Sequence, residues 1–216
     1  MKKRSFLIAL AALALVIGAV SLVSNAAPAQ ASTTHSFYVT LYGWPDNSPP
    51  GAAIAYPKNG GYPTLHNTAG GSGTYSNPVT YATDKSELPV GTKVYYSYLK
   101  RYFIMEDDCT ACDEDWTGQG PDGGPGYYHI DLWAGGAAGD NASALFNCED
   151  SWTSNGQVPV IVDPPSNEPV ANNGAGGSVF NTSNNTCTAN RCYACISARP
   201  CATCCSIAQR YSSARA

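Results

Sequence analysis

Six short segments rich in β-branched and aromatic residues divide residues 36–163: Phe37–Tyr42, Val79–Thr83, Lys93–Leu99, Tyr102–Glu106, Tyr127–Trp133 and Val158–Val162. Each is bounded by Gly, Pro, Asp or Asn, which end strands through turn chemistry. Only Ala142–Phe146 carries a helical pattern, and it is short. A chain punctuated this way has too little helix for a bundle or a wound α/β sheet. Its strands must cover one another, so the fold expected is all-β: a small closed barrel or a sandwich, with long loops and very little helix. The loops at 44–78 and 107–126 collect most of the Gly, Pro and acidic residues, and loops on a rigid sheet are where sites usually sit.

Residues 1–31 have the layout of an export signal. Lys2-Lys3-Arg4 is followed by an apolar run from Phe6 to Val23, broken only by Ser21, and Ala29-Gln30-Ala31 offers a small-x-small cleavage site. The run nearly reaches membrane-spanning length, but Pro28 and the cleavage site favour removal. The protein expected is secreted and extracellular, with no membrane attachment once the signal is cut. The barrel domain would then occupy 32–163. Pro164-Pro165 opens an Asn-, Gly- and Ser-rich stretch, 164–186, with the composition of a linker. Residues 187–216 are Cys-rich and break sharply from the preceding composition, as a disordered or mis-framed end would, or a small disulfide knot. All nine cysteines follow the signal, and in an oxidising compartment they read first as disulfides, with one thiol left over.

Other classes are disfavoured. Only 13% of residues are charged and the formal charge is -4, which argues against nucleic acid as a partner. No P-loop, H-E-x-x-H or G-x-S-x-G occurs. We therefore expect a monomer without cofactor or metal.

His129-Ile130-Asp131-Leu132-Trp133 sets a carboxylate in an apolar strand. Ile130 and Leu132 should face one way and Asp131 the other. A carboxyl there needs a partner, hydrogen bonds or a place at the rim. Partial burial and neighbouring carboxylates would raise its pKa, as a general acid requires; a loop-capping role through backbone N–H groups fits equally well. Glu106, Asp107, Asp108, Asp113, Glu114 and Asp115 put six acids in ten residues. That run fits a solvated loop, a Ca²⁺ site of no EF-hand spacing, or Asp108 acting as the titrating partner of Asp131. Asp84 reads as a turn residue before Lys85-Ser86 or as a further site acid. Asp46 closes the run Gly43-Trp44-Pro45-Asp46. Cys109-x-x-Cys112 suits a structural disulfide, with Cys148 as an alternative partner, better than a redox or zinc centre. Tyr42, Trp44, Trp116, Tyr128, His129 and Trp133 lie beside these acids and could stack on sugar rings or fill the core. Trp44 and Trp116, in loops, are the better surface candidates.

Taken in order, Val39-Thr40-Leu41-Tyr42-Gly43, Tyr81-Ala82-Thr83-Asp84, Leu88-Pro89-Val90-Gly91-Thr92-Lys93-Val94-Tyr95, Asp108-Cys109-Thr110-Ala111-Cys112 and His129-Ile130-Asp131-Leu132-Trp133 resemble the double-psi β-barrel superfamily. That group includes expansins, family-45 endoglucanases, rare-lipoprotein-A-like proteins and the three-aspartate domain of some lytic transglycosylases. The resemblance covers about residues 36–163. It implies a six-stranded double-psi barrel with a polysaccharide partner, a cell-wall glycan that the protein cleaves or loosens. On that likeness Asp131 is the general acid, and Asp108, Asp84 and Asp46 are the further candidate acids. Trp44-Pro45 displace Asp46 from the position of the endoglucanase base, which brings a non-catalytic, expansin-like function into view.

Overall fold

A computed structural model describes residues 31–188. The expected signal segment, except Ala31, and the Cys-rich tail beyond Thr188 lie outside the described residues. All six expected segments form strands: β1 (Thr33–Gly43), β2 (Val79–Ala82), β3 (Lys93–Tyr96), β4 (Arg101–Asp107), β5 (His129–Gly135) and β6 (Val158–Val162). They close into a barrel in the order β1-β5-β2-β4-β3-β6. The β1–β5 and β2–β4 pairs are parallel; the other four contacts are antiparallel. Closure leaves no free edge, which is how six short strands become a stable sheet.

Period-two alternation decides what each face carries. On β1 and β5, Phe37, Val39, Leu41, Ile130 and Leu132 are buried in the core. The intervening residues meet in register as Tyr38 with His129, Thr40 with Asp131 and Tyr42 with Trp133. One face of this parallel pair is therefore hydrocarbon, and the other is a polar and aromatic ladder.

Helix content exceeds expectation. α1 (Thr110–Thr117) follows Cys109, whose sulfur accepts the Cys112 N–H at 3.1 Å. It stops at Gly118, whose φ of 80° is left-handed. Its acidic surface gives no apolar period, so N-cap and disulfide, not patterning, define it. α2 (Ala142–Trp152) is capped by Asn141 and buries Leu145, Cys148, Glu149 and Trp152. That stripe has helical spacing, but Asn147, Glu149, Asp150 and Ser151 disguise it beyond Phe146.

Residues 164–186, which have the composition of a linker, are fastened to the barrel. Tyr95 and Tyr102 hydroxyls donate to the carbonyls of Pro169 and Pro165, each at 2.7 Å. Buried Arg101 donates to the carbonyls of Gly177 and Ser178. Val179 and Phe180 are buried, and β7 (Phe180–Asn181) pairs with β8 (Thr186–Cys187). Cys187 closes a disulfide with Cys148 of α2. A segment held through its own carbonyls leaves no trace in side-chain composition, so it reads as a linker in the sequence. The boundary expected at 187 falls inside this strap.

Candidate functional site

Strand register assembles the acids. Ala82 of β2 lies opposite Asp131 of β5 on one side and Asp107 of β4 on the other. Thr40 of β1 lies opposite Asp131. Asp107, Ala82, Asp131 and Thr40 thus form one row across four adjacent strands. Asp131 is partly exposed, and its Oδ1 lies 2.8 Å from the Thr40 hydroxyl, which donates to it when the carboxyl is ionised. Burial pushes its pKa up to about 7; Thr40 pulls against this, while Asp46 and Asp107 add to it. The carboxyl expected on the face opposite Ile130 and Leu132 is there.

Its neighbour is Asp107 rather than Asp108. Asp107 is buried and accepts the Tyr42 hydroxyl at 2.9 Å and the Ala55 N–H at 2.8 Å. Burial raises its pKa against those donors. Asp108 is exposed and accepts the Tyr56 hydroxyl at 3.0 Å. One residue's shift along a strand end reverses the side chain, and that removes Asp108 from the row. Asp84 accepts the Ser86 N–H at 2.6 Å, the bond of a turn residue.

The acidic run is not one solvated loop. Glu106 is fully buried and accepts the N–H groups of Leu65 and His66, the Thr80 hydroxyl and, at 2.7 Å, His66 Nδ1. Burial alone would raise its pKa, but His66 and the two N–H donors hold it below the usual range. Glu106 and Asp107 together pin the long loop at 44–78 to β4. Asp115 is buried under α1, with Oδ2 2.9 Å from His129 Nδ1.

Asp46 turns back on Gly43 and accepts its N–H at 2.6 Å. Burial raises its pKa; Gly43 and a hydrogen bond from Glu149 oppose the rise. Glu149 of α2 is buried, with Oε1 lacking a partner. Burial, then the charges of Asp46 and Asp131, push it up to about 9. Glu149 is absent from the candidates expected from the sequence, and Asp107 and Asp115 stand among them only as members of the acidic run. A carboxyl inside the apolar stripe of α2 was the signal for the first.

Among the aromatic candidates, Tyr42, His129 and Trp133 are buried, with the Tyr42 and Trp133 rings 5.1 Å apart. Trp44, Trp116 and Tyr128 keep partial exposure, and Trp116 meets Tyr128 edge-on at 5.3 Å. Tyr56 and Tyr62, beside Asp108, make a T-shaped pair at 5.3 Å with Tyr62 exposed. Cys109 and Cys112 are joined to each other, and Cys148 goes to Cys187. Ligand atoms of Cys109, Cys112 and His129 lie within 4.8 Å of one another, but the two sulfurs are already bonded together.

Among known proteins, the DDB_G0273701 N-terminal domain family matches residues 34–188, and the chain belongs to it. An uncharacterized protein of Dictyostelium discoideum is 38% identical over 151 residues, covering 68% of this chain and 60% of the relative. The chain thus spans under two thirds of that relative's length. No solved structure matches.

Proposed function

We propose that this member of the DDB_G0273701 N-terminal domain family is an exported, polysaccharide-active protein in which Asp131 protonates a glycosidic oxygen. The observation that carries this reading is Asp131 itself, a partly exposed carboxyl pushed up to about 7, so that a large share of it still holds a proton near neutrality. A general acid needs both that proton and access to substrate. Asp46 is the second carboxyl. With the Gly43 N–H and Glu149 as donors it is the member of the cluster suited to stay ionised, to activate water or to face an oxocarbenium-like centre. Trp44, Trp116, Tyr56 and Tyr62 offer ring faces for the sugars on either side.

The closed six-stranded barrel with two parallel pairs supports the double-psi likeness. Two disulfides and the leader-like residues 1–31 support export. A cell-wall glycan remains the substrate class, with peptidoglycan and β-1,4-glucans as its two test cases. One observation favours a non-catalytic, expansin-like alternative: the Asp46 carboxyl is already engaged by Gly43 and Glu149.

Product analysis by mass spectrometry after incubation with peptidoglycan and with β-1,4-glucans separates the readings. Anhydro-muropeptides or cello-oligosaccharides, abolished by Asp131→Asn, support catalysis. Binding without any product supports the alternative. Neither binding nor product overturns both.

A further inference from the structure

Four side chains form a continuous line beside β1 and β5. Asp115 Oδ2 lies 2.9 Å from His129 Nδ1, His129 Nε2 lies 2.9 Å from Thr40 Oγ1, and Thr40 Oγ1 lies 2.8 Å from Asp131 Oδ1. Three gaps need three protons, one in each. The Thr40 hydroxyl owns one proton and can fill only one gap. A carboxylate at Asp115 has none to give, so the first gap takes the proton of Nδ1. A neutral imidazole then has a bare Nε2, which claims the Thr40 proton. The last gap can be filled only from Asp131.

We propose that Asp115 is a positioning residue that locks His129 as the Nδ1–H tautomer and, through Thr40, keeps a proton on Asp131. The inference rests on Asp131 being the proton donor of the proposed function and explains how the fold keeps it loaded. Ionising Asp131 while His129 stays neutral would turn the Thr40 hydroxyl toward the carboxylate. Nε2 and Oγ1 would then face each other with lone pairs alone. With Asp115 ionised, the remaining alternative that fills every gap is an imidazolium between two carboxylates. Burial disfavours it, lowering the His129 pKa despite the pull of Asp115.

The surroundings permit this role. His129 is buried, faces Tyr38 of β1 with ring centroids 4.8 Å apart, and feels the charges of Asp115 and Asp122. The His129 backbone N–H is held separately by Glu87 at 3.2 Å. Asp131 faces Thr40 from β1, Asp46 from the following loop, Asp107 from β4 and Glu149 from α2. Asp46 and Asp107 both raise the Asp131 pKa, so a lowering produced at Asp115 is distinguishable from their effect. The Cys109–Cys112 bridge at the start of α1 supports the helix that carries Asp115.

The test reads protons, not products. Nitrogen-15 spectra of the His129 ring in the native protein should show Nδ1 protonated and Nε2 bare at neutral pH. Carbon-13 titration of the Asp131 carboxyl is then compared in the native protein, Asp115→Asn and Asp115→Leu. Without the carboxylate the ring reverts to its intrinsic Nε2–H preference, Thr40 turns to Asp131, and the midpoint falls by about one unit, a tenfold change. In a Thr40→Val background the same Asp115 substitutions should leave the Asp131 midpoint in place. An Nε2–H ring in the native protein overturns the inference, and that measurement needs no variant to fold. An Asp131 midpoint indifferent to Asp115 in the Thr40 protein overturns it too. Both readouts are free of substrate, so failure of glycan cleavage would be a separate result.

Discussion

Replacing Glu149 with Gln interrogates the carboxyl cluster through stability, without substrate. Glu149 is buried on α2 and pushed from 4.5 to about 9, by burial first and by Asp46 and Asp131 next. An unfolded chain releases this proton near pH 4.5, whereas the folded protein holds it to about pH 9. Between those limits the folded state carries a proton that the unfolded state has lost. Stability therefore falls as pH rises, by about 1.4 kcal/mol per unit. At pH 7 the accumulated loss is about 3 kcal/mol, and below pH 4 it is absent. Glu149→Gln keeps the shape and a donor toward Asp46 but cannot ionise. Its second amide N–H enters a buried site with no partner, which returns about 1 kcal/mol. The variant should therefore exceed the parent by about 2 kcal/mol at pH 7, by more at pH 8, and fall about 1 kcal/mol below it at pH 4. Urea unfolding at the three pH values measures this, with equal m values confirming that the same surface unfolds. A difference between variant and parent that is flat across pH would refute a protonated, buried Glu149.

Asp131→Asn should leave folding and glycan binding intact while turnover falls roughly 10²–10⁴-fold; unchanged turnover would remove Asp131 from the chemistry. In the native protein, activity should decline as pH rises through about 7, where Asp131 loses its proton, and a pH–rate profile flat from pH 6 to 8 would contradict the assignment. Replacing both Cys148 and Cys187 with Ala opens a loop spanning a sequence separation of 39. The loop-entropy relation puts the loss at about 4 kcal/mol, to be read by denaturant unfolding, and a loss under about 1 kcal/mol would mean the strap holds without the link. N-terminal sequencing of secreted material should begin at Ser32, and material retaining residues 1–31 would refute cleavage after Ala31.

The six strands were legible because each obeys a local rule. Phe37, Val39 and Leu41, like Ile130 and Leu132, alternate with polar or aromatic residues, and turn formers stop each run. Asp131 was legible for the same reason: alternation alone sets it on the opposite face from Ile130. Local rules failed wherever a long-range contact decides the outcome. Asp107 and Asp108 are equivalent in a list of acids, and only the pairing of Ala82 with both Asp107 and Asp131 separates them. Asp115 sits on a helix without an apolar stripe, so nothing local announces that it reaches His129. The strap at 164–188 is held by Tyr95, Tyr102 and Arg101, residues distant in sequence that bind its carbonyls.

The same register explains how roles divide among carboxyls that crowd one another. The charges acting on Asp131 and Glu149 all come from carboxylates, so the cluster cannot ionise as a whole. What selects the charged member is the supply of donors. Asp46 receives the Gly43 N–H and the Glu149 proton, while Glu149 Oε1 has no donor at all. Asp131 faces Thr40, whose single proton His129 also claims. The donors therefore favour charge on Asp46, while burial favours protons on Glu149 and Asp131. Pairs of acids pushed apart in this way are what acid–base chemistry on a glycosidic bond requires. Of Glu149 and Asp131, the latter is the less buried, and on the proposed function that partial exposure suits it to be the donor.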